Sequence, residues 1–181
     1  MKNILILGAA RSGKSTLAKL MADKFGLSII SVDAFIGAFQ ENYPDLGFAY
    51  FNKSNHHIAP FVASYANAII YNHPKSNFII EGYHIKLNDA VKLFGDKFEI
   101  VVLGYPRLTP QEVLSNVRKY EGKFDYTRAL TDEELLKTIS RHVEYSKNFE
   151  AECKNLGLAF FDTSYNRDEV LDSIIKKFTN L

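Results

Sequence analysis

One cysteine, Cys153, occurs in the 181-residue chain. It has no partner for an intrachain disulfide and forms no thiolate cluster for a structural metal. An excess of either charge is lacking too. The 22 basic and 21 acidic side chains leave +1, so nothing points to nucleic acid or an anionic membrane as a partner. No apolar run approaches the ~20 residues a membrane span needs, and Ile4–Leu7 is far too short for the core of a secretion signal. Repeats, low-complexity tracts and Gly/Ser linkers are absent, so one domain covering 1–181 is expected. Together these absences predict a soluble, cytoplasmic protein.

What is present argues for a sizeable core: 46% of residues are hydrophobic. Five short β-rich runs stand out, Asn3–Leu7, Ser28–Val32, Asn77–Glu81, Phe98–Leu103 and Ala159–Asp162. They are apolar at nearly every position, as parallel strands covered on both faces are. Helical patterns lie between them. Leu17, Ala18, Leu20 and Met21 form one, ending at Phe25-Gly26. Thr109-Pro110-Gln111-Glu112 and Thr131-Asp132-Glu133-Glu134 read as capping boxes, the second before a stripe running from Leu135 to Cys153 with Gly157 as the stop. Asn166 and Glu169 can open a last helix with Val170, Leu171, Ile174 and Ile175. Strands alternating with helices predict an α/β fold around a five-stranded parallel sheet. Ala34–Lys75 and Tyr120–Leu130 break this rhythm and read as segments inserted above the sheet.

The first strand runs into Gly8-Ala9-Ala10-Arg11-Ser12-Gly13-Lys14-Ser15, followed by Thr16. This is the Walker A spacing, in its required context between a strand and a helix. The glycines let the backbone curl so that successive N–H groups face phosphate oxygens. Lys14 suits the β- and γ-phosphates, the Ser15 hydroxyl suits Mg2+, and the helix offers its positive end to the same anion. Gly8 through Thr16 are therefore the expected ATP-binding residues.

With that loop, the chain resembles the small P-loop kinases, the group that includes adenylate, shikimate and gluconate kinases. The resemblance implies a three-layer fold with strand order 2-3-1-4-5, Mg-ATP as phosphoryl donor and a small-molecule acceptor. In that group the second strand ends in an aspartate beside the acceptor, which places Asp33 of "LSIISVDAF" there. Such a carboxylate accepts the acceptor hydroxyl's proton or holds magnesium through water; the plain alternative is a helix cap. Glu81-Gly82 looks like the Asp-Gly that closes the group's third strand, so Glu81 is either a magnesium-orienting group or a turn cap. His84, just beyond, is a candidate acceptor contact. Lid arginines neutralise the transferring phosphoryl in these enzymes; here Arg118, Arg128 and Arg141 bracket a lid over about 119–131, with Arg118 and Arg141 expected to be catalytic.

No arginine occurs between Arg11 and Arg107. Nucleoside monophosphate kinases hold the acceptor's phosphate with arginines in this interval, and lysine is no equivalent for bidentate contact. The insert over about 34–75 is instead aromatic: Phe35, Phe39, Tyr43, Phe48, Tyr50, Phe51, Phe61 and Tyr65. These rings either line an acceptor pocket, with Phe35 foremost, or form a satellite core. The expected acceptor is thus an unphosphorylated hydroxyl compound, with a nucleoside monophosphate as the alternative. His56-His57 are adjacent, about 100° apart on a helix, and suit no shared metal. Magnesium is expected at Ser15, Asp33 and Glu81. A nucleotide-dependent switch or degenerate kinase is the alternative of another class. The absence of a guanine-reading N-K-x-D motif and the set Lys14, Ser15, Asp33 and Glu81 weigh against it. The assembly is expected to be a monomer or homodimer.

Overall fold

A computed structural model describes residues 2–48, 58–123 and 125–179. The five strands are β1 (Asn3–Gly8), β2 (Ser28–Ser31), β3 (Phe78–Gly82), β4 (Phe98–Gly104) and β5 (Phe160–Asp162). All pair in parallel, as the apolar runs predict, in the order β2-β3-β1-β4-β5 that the resemblance implies. Among the described residues seven α-helices accompany them: α1 (Lys14–Phe25), α2 (Val32–Asn42), α3 (Ile58–Asn72), α4 (Leu87–Phe94), α5 (Pro110–Tyr120), α6 (Asp132–Leu156) and α7 (Arg167–Thr179).

The period-2 alternation of strand side chains divides the core. Ile4 and Ile6 of β1, with Ile79, Val101 and Leu103, face α1 and α7. Leu5 and Leu7, with Ile80 and Val102, face α2, α3, α4 and Cys153 of α6. Each of these four β1 side chains is at most 1% exposed, which is worth about 1.5–3 kcal/mol per residue. A third cluster packs α5 against α6 through Val113, Val117, Leu135, Ile139 and Val143, beside Ala9 and Tyr105. It stands the α5–α6 hairpin over the carboxyl ends of the strands. Both capping boxes form, with Thr109 accepting from the Glu112 N–H and Thr131 from the Glu134 N–H.

Three expectations need adjustment. The edge strand β2 is not covered on both faces; Ile29 is 43% exposed, because only β3 flanks it. The stretch 34–75 is largely helical. Most of α2 and α3 fall in it, their periodicity hidden by aromatic and polar residues on the exposed side. The short helix α4 was not anticipated, its eight residues giving little room for a pattern to register. In 120–130 a 3-10 turn spans Tyr126–Ala129. Tyr50, Phe51, His56 and His57 lie outside the described residues.

Candidate active site

Every strand directs its carboxyl end toward one cleft of about 1950 Å³. β1 hands its chain to α1 on one face, while neighbouring β4 leads to the α5–α6 hairpin on the other. A crevice opens where the two diverge, as at the switch point of any doubly wound sheet.

The loop after β1 forms its floor. At Gly8, φ is +143° and a Cβ would lie 1.9 Å from the Leu103 carbonyl oxygen, so β1 and β4 approach this closely only with glycine there. Gly13 caps α1 and supplies no side-chain acceptor, which leaves the first N–H groups of the helix available to an anion. Lys14 is 7% exposed and its Nζ donates to the Ala9 carbonyl at 2.8 Å. Burial lowers its pKa from the ordinary value, opposed by the nearby charges of Glu81 and Asp33. Tyr105, just past β4, donates its hydroxyl to the Ala10 carbonyl at 2.7 Å and so fixes the loop from above.

The carboxylates stand at the ends of β2 and β3. Glu81 is 6% exposed and accepts from the Ser15 hydroxyl at 3.1 Å. At Gly82 a Cβ would fall 2.5 Å from Cβ of Val32; glycine there lets the start of α2, and with it Asp33, close onto β3. Asp33 Oδ1 is buried without a hydrogen-bond partner, 3.7 Å from Nε2 of His84. Burial lowers the His84 pKa; Asp33 opposes that and Lys14 adds to it. Ser15, Glu81 and Asp33 thus gather oxygen ligands beside Lys14. Among the described residues no three His, Cys, Asp or Glu side chains could enclose a metal by themselves. That suits magnesium, which keeps waters and substrate phosphates and takes only one or two protein oxygens. The donor set fits Mg-ATP.

From α6, His142 and Tyr145 also line the cleft and pack on Tyr83, with ring centroids 6.1 and 5.8 Å away. Burial, and then the neighbouring Tyr145 phenol, raises the Tyr83 pKa. Burial also holds His142 down to about 4, aided by the charges of Lys14, Arg141 and Arg11.

Two expected site residues lie elsewhere. Phe35 does not line the cleft; its ring packs edge-on against Phe61 and Tyr65, at 5.3 and 5.0 Å, so the satellite-core reading describes it. Arg118 does not line it either. Its guanidinium donates to Asp132, to Glu121 and to the Thr127 and Leu130 carbonyls, and it staples the lid to α5 and α6. Arg141 does line the cleft, along with Arg11, Asp33, Glu81 and His84. Tyr83, Tyr105, His142 and Tyr145 were not singled out beforehand. Tyr83 and Tyr105 follow strand ends, which is the position that marks cleft residues in a parallel sheet. His142 and Tyr145, mid-helix, carried no such mark.

No protein-family model matches the sequence, and no curated protein sequence matches it. Solved structures do. A gluconokinase from Sinorhizobium meliloti 1021 has a TM-score of 0.63 at 14% identity, over 99% of this chain and 92% of that one. A shikimate kinase from Bacteroides thetaiotaomicron has a TM-score of 0.62 at 14% identity, over the whole of both chains. A deoxyadenosine kinase from M. mycoides has a TM-score of 0.50 at 14% identity, over 99% and 100%. The fold is that of the small P-loop kinases. No helix among the described residues is long and apolar enough to cross a membrane.

Proposed function

We propose that the protein is an ATP-dependent small-molecule kinase whose acceptor is an unphosphorylated hydroxyl compound. The observation that carries this is the meeting, in one cleft, of buried Lys14, the Ser15–Glu81 pair and an Asp33 Oδ1 that is buried without a hydrogen-bond partner. In this reading the backbone from Gly8 to Thr16 holds the triphosphate. Lys14 draws charge from its β- and γ-phosphates, with Arg141 facing them across the cleft. Ser15, Glu81 and Asp33 would hold the magnesium shell, which when present supplies charge neutralisation on the β- and γ-oxygens. Asp33 orients the acceptor hydroxyl and takes its proton. The acceptor oxygen bonds to the γ-phosphorus, the bond from that phosphorus to the β–γ bridging oxygen breaks, and ADP leaves.

Support for an unphosphorylated acceptor comes from the cleft wall. Tyr83, His84, His142 and Tyr145 line the cleft with Asp33, and the segment from β2 to β4 contributes no arginine that could grip a second phosphate. Neutral imidazoles and phenols hydrogen-bond to hydroxyls without attracting an anion. The test is ADP release from Mg-ATP across nucleosides, nucleoside monophosphates, sugar acids and polyols. One unphosphorylated acceptor should raise the rate far above background. Turnover of a nucleoside monophosphate alone would overturn the acceptor class, and silence across the panel with ATP bound would favour a nucleotide-sensing module.

A further inference from the structure

The loop after β1 carries an arginine that the phosphate-binding pattern does not require. Arg11 occupies a free position of the motif, and its φ of 64° puts it in the left-handed region. Asn166 is the other non-glycine residue there among those described. A bulky residue held in that region costs of order 1 kcal/mol, and glycine would adopt the same backbone without the strain. The side chain therefore invites a functional account. It reaches over the cleft to the lid, where Nη1 donates to Asp125 Oδ2 at 3.2 Å and Nη2 to Thr127 Oγ1 at 3.4 Å.

Both partners are held from behind. Asp125 Oδ2 also accepts from the Gly122 N–H at 2.7 Å, and Thr127 donates to Glu121 at 2.9 Å. The Gly122 N–H and then Arg11 keep the Asp125 carboxyl below its ordinary pKa. The contact is nonetheless light. Arg11 and Asp125 are each 33% exposed, and they meet through one nitrogen rather than a bidentate fork. Arg118, by contrast, has every guanidinium nitrogen engaged, Nε by Asp132 of α6 and the other two by the Thr127 and Leu130 carbonyls. Arg141 sits further along α6, with Nε donating to the Lys137 carbonyl at 3.3 Å. Of these three, Arg11 alone springs from the phosphate loop itself.

We propose that Arg11 recognises the terminal phosphoryl of the bound triphosphate, and that Asp125 and Thr127 park its guanidinium over the loop until that anion arrives. The inference rests on the reading of Gly8–Thr16 as a triphosphate site, and it goes beyond the proposed kinase reaction by naming the group that tells a triphosphate from a diphosphate. A terminal phosphoryl carries more charge than one carboxylate and accepts a bidentate fork, so it displaces Asp125 from a single 3.2 Å contact. The lid is released from the loop in the same exchange. This arrangement supplies in cis the charge neutralisation that Arg118 is not placed to give.

The test is calorimetric titration of wild type, Arg11→Ala, Arg11→Lys and Asp125→Asn with magnesium plus either ADP or a non-hydrolysable ATP analogue. Arg11→Ala should weaken the triphosphate roughly tenfold to a hundredfold and leave ADP within about twofold, as for lost charge-assisted hydrogen bonds. Arg11→Lys should recover part of the loss. Asp125→Asn removes the competitor, so it should bind the triphosphate as tightly as wild type or more so. Equal weakening toward both nucleotides, or an unaltered triphosphate affinity in Arg11→Ala, would overturn the assignment and leave Arg11 as a lid tether. The readout is independent of the acceptor. If wild type shows triphosphate discrimination that depends on Arg11 yet phosphorylates nothing, the kinase reading fails and the role of Arg11 stands. If wild type binds neither nucleotide, both fail.

Discussion

The two ends of the cleft are built from different materials. The end under the phosphate loop is mostly backbone: glycines at close approaches, uncapped helix N–H groups and carbonyls that fix Lys14 and Tyr105. The end under α6 is mostly side chain, with His84, His142 and Tyr145 packed on Tyr83 and His84 reaching Asp33 at 3.7 Å. Backbone cannot be substituted, so on the proposed reading the first end serves one kind of ligand, a phosphate chain. A wall of side chains can be rebuilt residue by residue without disturbing the sheet, which is how one fold serves many acceptors. Binding of the nucleotide and choice of the acceptor are therefore separable by mutation.

The sharpest break is Lys14→Ala. Lys14 is the one side chain at the phosphate end that the proposed chemistry cannot spare, and its loss should lower transfer by about 10³-fold or more. The fold should persist, since the Lys14 ammonium touches only the Ala9 carbonyl within the loop; far-UV circular dichroism and a coupled ADP assay check both halves. Asp33→Asn tests the other end. It should leave nucleotide affinity within about twofold and cut turnover by about 10²-fold, the scale of a lost general base. Full activity in that variant would remove Asp33 from the base role. If nucleotide affinity fell together with turnover, the two ends would not be separable.

The same division decides what could be read in advance. The phosphate end announces itself in Gly8, Gly13, Lys14 and Ser15, because backbone geometry there demands fixed residue types at fixed spacing. Strand order followed from the resemblance that this loop supports. Asp33 and Glu81 came from the same resemblance, which places carboxylates at the ends of the second and third strands. The α6 wall was not, since a histidine and a tyrosine three apart on an amphipathic helix look the same whether they meet solvent or substrate. Arg118 and Phe35 show the reverse error. Both lie in the right segments, and only tertiary partners (Asp132 and Glu121 for one, Phe61 and Tyr65 for the other) turn them from the cleft.

A pH experiment tests whether the side-chain end contributes to stability as well as choice. His142 titrates near 4 in the folded protein, because of burial and then the charges of Lys14, Arg141 and Arg11, against 6.5 when unfolded. The unfolded chain therefore takes up a proton that the folded one refuses. Its stabilisation of the unfolded state begins as pH falls through 6.5 and is complete below about 4. At 1.36 kcal/mol for each pH unit of that interval, the protein should lose up to about 3 kcal/mol from this group across it. Urea unfolding of wild type and His142→Gln between pH 4 and 7.5 measures it, and the variant should show the shallower slope. Equal slopes would mean that His142 is protonated inside the cleft.

The smallest effect belongs to the support of the phosphate loop. Tyr105→Phe deletes one hydroxyl, the donor to the Ala10 carbonyl, and keeps the ring that packs with Ala9, Val113 and Val117. The Ala10 carbonyl then loses a partner in a half-buried position, a cost of about 1 kcal/mol. Because the hydroxyl touches the loop and not the reacting atoms, this should raise the KM for ATP by up to about fivefold and leave kcat within about twofold. A fall in kcat with unchanged KM would place Tyr105 among the groups that meet the transferring phosphoryl. The phosphate end would then depend on a side chain where its construction points to backbone alone.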